Sequence, residues 1–75
     1  MLDKELFKDR IDKLKQMILE IEYWSETQDS VSSYKQKEYF NYMTYDLSDI
    51  ISLSKELYDN VEEAMKNQPL EEGEE

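Results

Sequence analysis

The chain contains no cysteine and no histidine. Without cysteine it can form neither a disulfide nor a thiolate metal site, and without histidine it lacks the commonest zinc ligand and general base. The single Gly and single Pro leave few turn signals, whereas the many Glu, Lys and Leu residues favour long helices. These features predict a cytoplasmic, all-α protein that binds no cofactor and no metal.

Basic residues are also scarce, since 9 Lys and Arg face 19 Asp and Glu for a net charge of −10. This balance argues against direct nucleic-acid binding, which depends on Lys and Arg displacing counterions from phosphates. The deficit is concentrated in residues 46–75, whereas residues 1–15 are slightly basic. The expected partner is therefore a protein with a basic surface.

Long apolar runs are missing too. No stretch approaches the ~18 residues that a membrane span requires, and the start, Met1 to Glu5, is charged where a signal peptide would be apolar. We therefore expect a soluble protein with no membrane association.

Apolar residues instead recur at alternating spacings of three and four, which is typical of helices that pack along a heptad stripe. The first stripe comprises Phe7, Ile11, Leu14, Ile18 and Ile21, and the second comprises Phe40, Met43, Leu47, Ile50, Leu57, Val61 and Ala64, interrupted only by Ser54. The pattern predicts a hairpin domain over residues 1–67, with helices at 3–26 and 33–67, a turn at 27–32 and a disordered acidic tail at 68–75. An alternative breaks the second helix near 44–48 and gives three helices.

The two stripes also predict a register. If the chain reverses at Ser30 and Val31, the apolar layers pair Ile11 with Ile50, Leu14 with Leu47, Ile18 with Met43, and Ile21 with Phe40.

Apolar residues outside these layers predict self-association. One group lies on a flank beside the two apolar stripes that pack together in the hairpin. The other group lies where the second helix would extend past the end of the first helix. A homodimeric four-helix bundle would cover both groups. The expected dimer interface comprises Met17, Trp24, Tyr39, Leu53, Leu57, Tyr58, Val61 and Met65.

Three tyrosines and three carboxylates are the candidate contacts for a different protein. The tyrosines lie off both stripes, and Tyr is enriched at interface hot spots. The alternative is that the tyrosine rings cover neighbouring apolar surface while their hydroxyls stay in water. The candidate partner site is Tyr34, Tyr42, Tyr45, Asp46, Asp49 and Glu56.

Catalytic signals are weak. Neighbouring carboxylates such as Glu62 and Glu63 are typical of a solvated face, so we expect no enzyme. The segment Ser54-Lys55-Glu56-Leu57 resembles part of the Ser-Gln-Glu-Leu-Asp signature of small two-helix aspartyl-phosphate phosphatases. The resemblance covers four positions, departs at Lys55, and has Tyr58 where that family carries Asp.

Three functional hypotheses follow. The first is a non-enzymatic inhibitor or regulator that occupies a basic, nucleic-acid-binding surface of another protein as a nucleic-acid mimic, of the kind that phages or mobile elements encode. The second is a structural helical subunit or adaptor for an assembly. The third, implied by the resemblance alone, is a small helical phosphatase.

Overall fold

The computed structural model describes residues 2–68, which form an antiparallel hairpin of two α-helices. Helix α1 spans Lys4–Thr27, a 3₁₀ turn spans Gln28–Ser30, and helix α2 spans Ser33–Asn67. The predicted all-α hairpin is confirmed. Helix α2 runs without a break through 44–48, so the three-helix alternative is wrong. Apart from Gln68, the predicted acidic tail lies outside the described residues.

Side chains cap the start of both helices. The Asp3 carboxylate accepts a hydrogen bond from the backbone N–H of Leu6, and the Ser32 hydroxyl accepts one from the N–H of Lys35. Each bond satisfies an amide that has no partner within its helix. The cap of α2 is therefore Ser32, the residue directly before the helix begins at Ser33.

Hydroxyl groups at the turn prolong the helical path. Ser25, Thr27 and Ser30 each donate a hydrogen bond to a backbone carbonyl three or four residues earlier. Such hydroxyls can compete with helical hydrogen bonds, but here they add to the helical turns that precede them. The chain consequently continues through the 3₁₀ turn and reverses about two residues later than predicted.

This later reversal shifts the register of the hairpin. Arg10 lies 3.4 Å from Glu56, and the rings of Trp24 and Tyr42 are 5.2 Å apart. Both α2 partners lie five positions further along the chain than the predicted register places them, so the four predicted apolar pairs are wrong. The shift also removes the predicted overhang of α2, because residues 2–7 and 60–67 line one shallow cavity at the open end.

The helices are also rotated relative to the prediction. The two buried residues, Met17 and Leu57, are each 8% exposed, whereas Ile18, Phe40 and Leu47 from the predicted stripes are 46–53% exposed. We call the packed contact between α1 and α2 the seam. Its positions are Phe7, Arg10, Leu14, Met17, Ile21 and Trp24 in α1, and Tyr39, Met43, Asp46, Ile50, Leu53, Leu57, Asn60 and Ala64 in α2.

This rotation corrects the predicted dimer surface. Met17, Trp24, Tyr39, Leu53 and Leu57 belong to the seam within one chain and are not an uncovered flank. The remaining members, Tyr58, Val61 and Met65, stay exposed. The rotation was not predicted because the seam includes polar residues at packed positions. A search for repeating apolar residues alone excludes such positions.

Candidate acidic protein-binding face

The hairpin presents two flanks of opposite chemistry, one on each side of the seam. In an antiparallel helix pair, equivalent heptad positions of the two helices lie on the same side. Lys13, Asp49 and Glu56 line one shallow groove, which fixes this pairing. The acidic flank comprises Lys13 and Glu20 of α1 with Tyr42, Asp49, Glu56 and Glu63 of α2. The apolar flank on the other side comprises Ile11 and Ile18 of α1 with Phe40, Leu47 and Val61 of α2.

Most of the predicted partner site lies together on one side of the molecule. Tyr42, Asp49 and Glu56 are on the acidic flank, and Tyr45 lies beside them on α2. Asp46 is in the seam directly below. Tyr34 lies apart from this group, near the start of α2 and about 16 Å from Tyr45 along the helix axis, and is 73% exposed.

Tyr42 belongs to an aromatic cluster near the turn, which the sequence patterns did not identify. Its ring centre is 5.2 Å from that of Trp24 and 6.4 Å from that of Tyr39, and Tyr23 lies 6.5 Å from Tyr39. Such tilted pairs stabilise beyond simple burial. Tyr42 therefore covers neighbouring apolar surface, as the alternative interpretation of the tyrosines proposed, while Tyr45 is 63% exposed.

Only part of the negative charge on α2 is neutralised within the chain. Glu56 pairs with Arg10, which also donates a hydrogen bond to Asn60, and Lys55 lies 3.3 Å from Asp59. Across residues 2–68, no basic side chain lies within ion-pair distance of Asp49 or Glu63. The acidic flank therefore retains carboxylates whose charge is available to a partner.

A second feature of this flank is a pair of facing carboxyl groups. The Oδ2 atom of Asp46 is enclosed and has no hydrogen-bond donor among the described residues. A hydrogen bond with Asp46 raises the pKa of Glu20, and burial and repulsion by the Asp46 charge act in the same direction. Two ionised carboxylates are both acceptors, so this bond exists only when one group holds a proton. The ionised form of Glu20 is therefore disfavoured beside Asp46.

We expect Glu20→Gln to raise the melting temperature at pH 7, because the amide of Gln can donate to Asp46 at any pH. The pKa of Glu20 is raised on folding, so its stabilising contribution is present at low pH and is lost as the pH rises. The advantage of the variant should therefore shrink below the ordinary Glu pKa of 4.5. Melting curves followed by circular dichroism between pH 3 and pH 8 measure the difference.

Glu22→Gln is the matched control, since Glu22 is an exposed residue of the same helix. Equal stabilisation by both variants at pH 7 would attribute the effect to net charge and contradict a specific role for the pair.

The residues that resemble the phosphatase signature do not converge on one site. Ser54 continues the heptad line of the apolar flank, Glu56 lies on the acidic flank, and Leu57 is buried in the seam. Within residues 2–68, no cluster of three acidic side chains is arranged to hold a metal ion.

Comparison of the chain with protein-family models, with curated proteins and with solved structures finds no match. Among the described residues, neither helix combines the length and the apolar character needed to cross a membrane.

Proposed function

We propose that this protein is a small, acidic, non-enzymatic binding module that inhibits or regulates a protein partner by occupying a basic surface on it. A surface that normally binds nucleic acid is the best fit, and small inhibitors of this kind are typical of phages and mobile elements. The observation that supports the proposal is the row of carboxylates on the acidic flank, which the chain neutralises only in part.

The spacing of this row suits a basic groove. Asp49, Glu56 and Glu63 follow one another at intervals of seven residues, so they lie about 10 Å apart along one side of α2. A regular line of negative charge on a rigid helix can face a row of basic side chains in such a groove. Such complementarity accelerates association and makes it sensitive to salt.

Tyr42 and Tyr45 lie at the end of this row nearest the turn. Tyrosine supplies a large contact area together with a hydroxyl, and it is enriched among residues that dominate binding energy. We therefore assign the carboxylates to attraction and orientation, and Tyr45 to close contact with the partner.

A second candidate function is a structural helical subunit or adaptor. The apolar flank favours it, because residues such as Phe40 and Leu47 remain about half exposed in the single chain. In that case the apolar flank would carry the partner contact and the acidic flank would maintain solubility. The two functions differ in the salt dependence of partner binding.

Affinity capture tests the proposal. The chain, immobilised on resin, is used to capture proteins from a bacterial lysate, and captured proteins are identified and titrated singly. We expect basic proteins that are released by raised salt and displaced by heparin, a polyanion. The double variant Asp49→Asn/Glu63→Gln should weaken binding at least tenfold, because it removes two charges of the row.

The double variant Glu22→Gln/Glu26→Gln is the matched control, since it changes net charge equally at exposed positions of α1 away from the row. It should bind nearly as well as the unmodified chain. Equal losses for both variants would show a general effect of charge. Binding that resists salt and heparin would favour the adaptor function.

A further inference from the structure

The apolar flank leaves much hydrophobic surface in contact with water. On this flank Ile18 is 53% exposed, and Phe40, Leu47 and Val61 are 46–49% exposed. The flank is also more apolar than the seam, because the seam includes Arg10, Asp46 and Asn60. On α2, the flank is widened by a neighbouring line of exposed residues: Ile51, Tyr58 and Met65.

The arrangement of this surface on α2 is close to symmetric about Ser54. Leu47 and Val61 lie seven residues before and after Ser54, and Ile51 and Tyr58 lie three before and four after it. Two copies of such a helix, packed antiparallel about a two-fold axis at Ser54, would place Leu47 of each against Val61 of the other. Two-fold contacts require this kind of self-complementarity.

We propose that the apolar flank binds a second copy of this chain, with the two α2 helices antiparallel about an axis at Ser54. The dimer is a four-helix bundle in which Ile18 of each α1 lies at the edge of the contact. This proposal is independent of the proposed function, because the acidic flank lies on the opposite side of the hairpin and stays free.

The available area is sufficient for a stable dimer. The side chains of Ile18, Phe40, Leu47, Ile51, Tyr58, Val61 and Met65 are 46–70% exposed. At roughly 100 Å² each they present about 700 Å², close to the ~800 Å² per partner of a standard interface. The charge of each chain opposes association, but the two acidic flanks face outward, where salt screens their repulsion over ~8–10 Å.

Cysteine cross-linking tests the axis directly, because the chain has no cysteine of its own. In the variant Ser54→Cys, the two thiols face each other across the axis, within the range that a disulfide spans. Mild oxidation should convert most of the protein to a disulfide-linked dimer. Ser52→Cys is the control, since Ser52 is exposed on the side of the acidic flank and should give little cross-linked product.

Light scattering coupled to size exclusion measures the mass without cross-linking. We expect a dimer of the 9.1 kDa chain at tens of micromolar. Leu47→Glu/Val61→Glu should raise the dimer dissociation constant at least tenfold while helicity is retained at high concentration. Leu19→Glu, an exposed position on the outer face of α1, should leave the mass unchanged.

A monomeric unmodified chain at these concentrations would overturn the proposal and assign the flank to a different protein. Equal cross-linking of the Ser54→Cys and Ser52→Cys variants would overturn the proposed axis.

Discussion

Replacing Leu57 by Ala should lower the free energy of unfolding by about 3 kcal/mol, within the ~2–5 kcal/mol range for buried Leu→Ala changes. Leu57 and Met17, each 8% exposed, are the most deeply buried side chains among the described residues. A two-helix protein with so small a core has little stability to lose, so the variant should be largely unfolded at 37 °C. Urea titration followed by circular dichroism at 222 nm gives the free energy.

Leu19→Ala is the matched control for this change. Leu19, like Leu57, is a leucine in the interior of an α-helix, but it is 63% exposed. Truncating it removes little buried surface, so its effect should stay within about 0.5 kcal/mol. Similar losses from the two variants would show that Leu57 does not lie at the centre of the seam.

The second large effect is expected from Ser48→Pro. Ser48 lies in the interior of α2, where proline removes a helical hydrogen bond and its ring clashes with the carbonyl four residues earlier. The cost is about 3 kcal/mol or more, and the far half of α2 would no longer align with α1. Circular dichroism should show a large loss of helix together with a lower melting temperature.

Ser33→Pro makes the same substitution at the first residue of α2. Proline is well tolerated there, because the amide it removes has no partner within the helix. This variant should melt close to the unmodified chain. If Ser48→Pro were equally harmless, α2 would contain a natural break near 44–48, and a three-helix arrangement would describe the protein better.

The helical hairpin could be predicted because its signals are local. Asp3 supplies a helix cap, apolar residues repeat with the helical period, and only the segment near Ser30 interrupts them. The register could not be predicted, since it depends on whether the hydroxyls of Ser25 and Thr27 oppose or support helix. They support it by donating to carbonyls of the preceding turn.

The rotation of the helices could not be predicted from the sequence for a different reason. Arg10 interrupts the apolar pattern, so the sequence favoured Ile11 and Ile18 as the packed positions. The structure instead brings Arg10 to Glu56 and Asn60, and satisfies its charge across the hairpin. These partners are about fifty positions away from Arg10 in the sequence, so a local repeat of apolar residues cannot show that they pair with it. The acidic side of α2 was predictable from composition, whereas its separation from the apolar flank required the rotation.

The register and rotation of the hairpin determine which residues form each flank, and the single tryptophan reports on both. Nuclear Overhauser spectra of the labelled protein should show cross-peaks between the indole of Trp24 and the ring of Tyr42, whose centres are 5.2 Å apart. In the register predicted from the apolar layers alone, Trp24 would face Lys37. Cross-peaks from the indole to Lys37 and none to Tyr42 would contradict the hairpin described and the two flanks built on it.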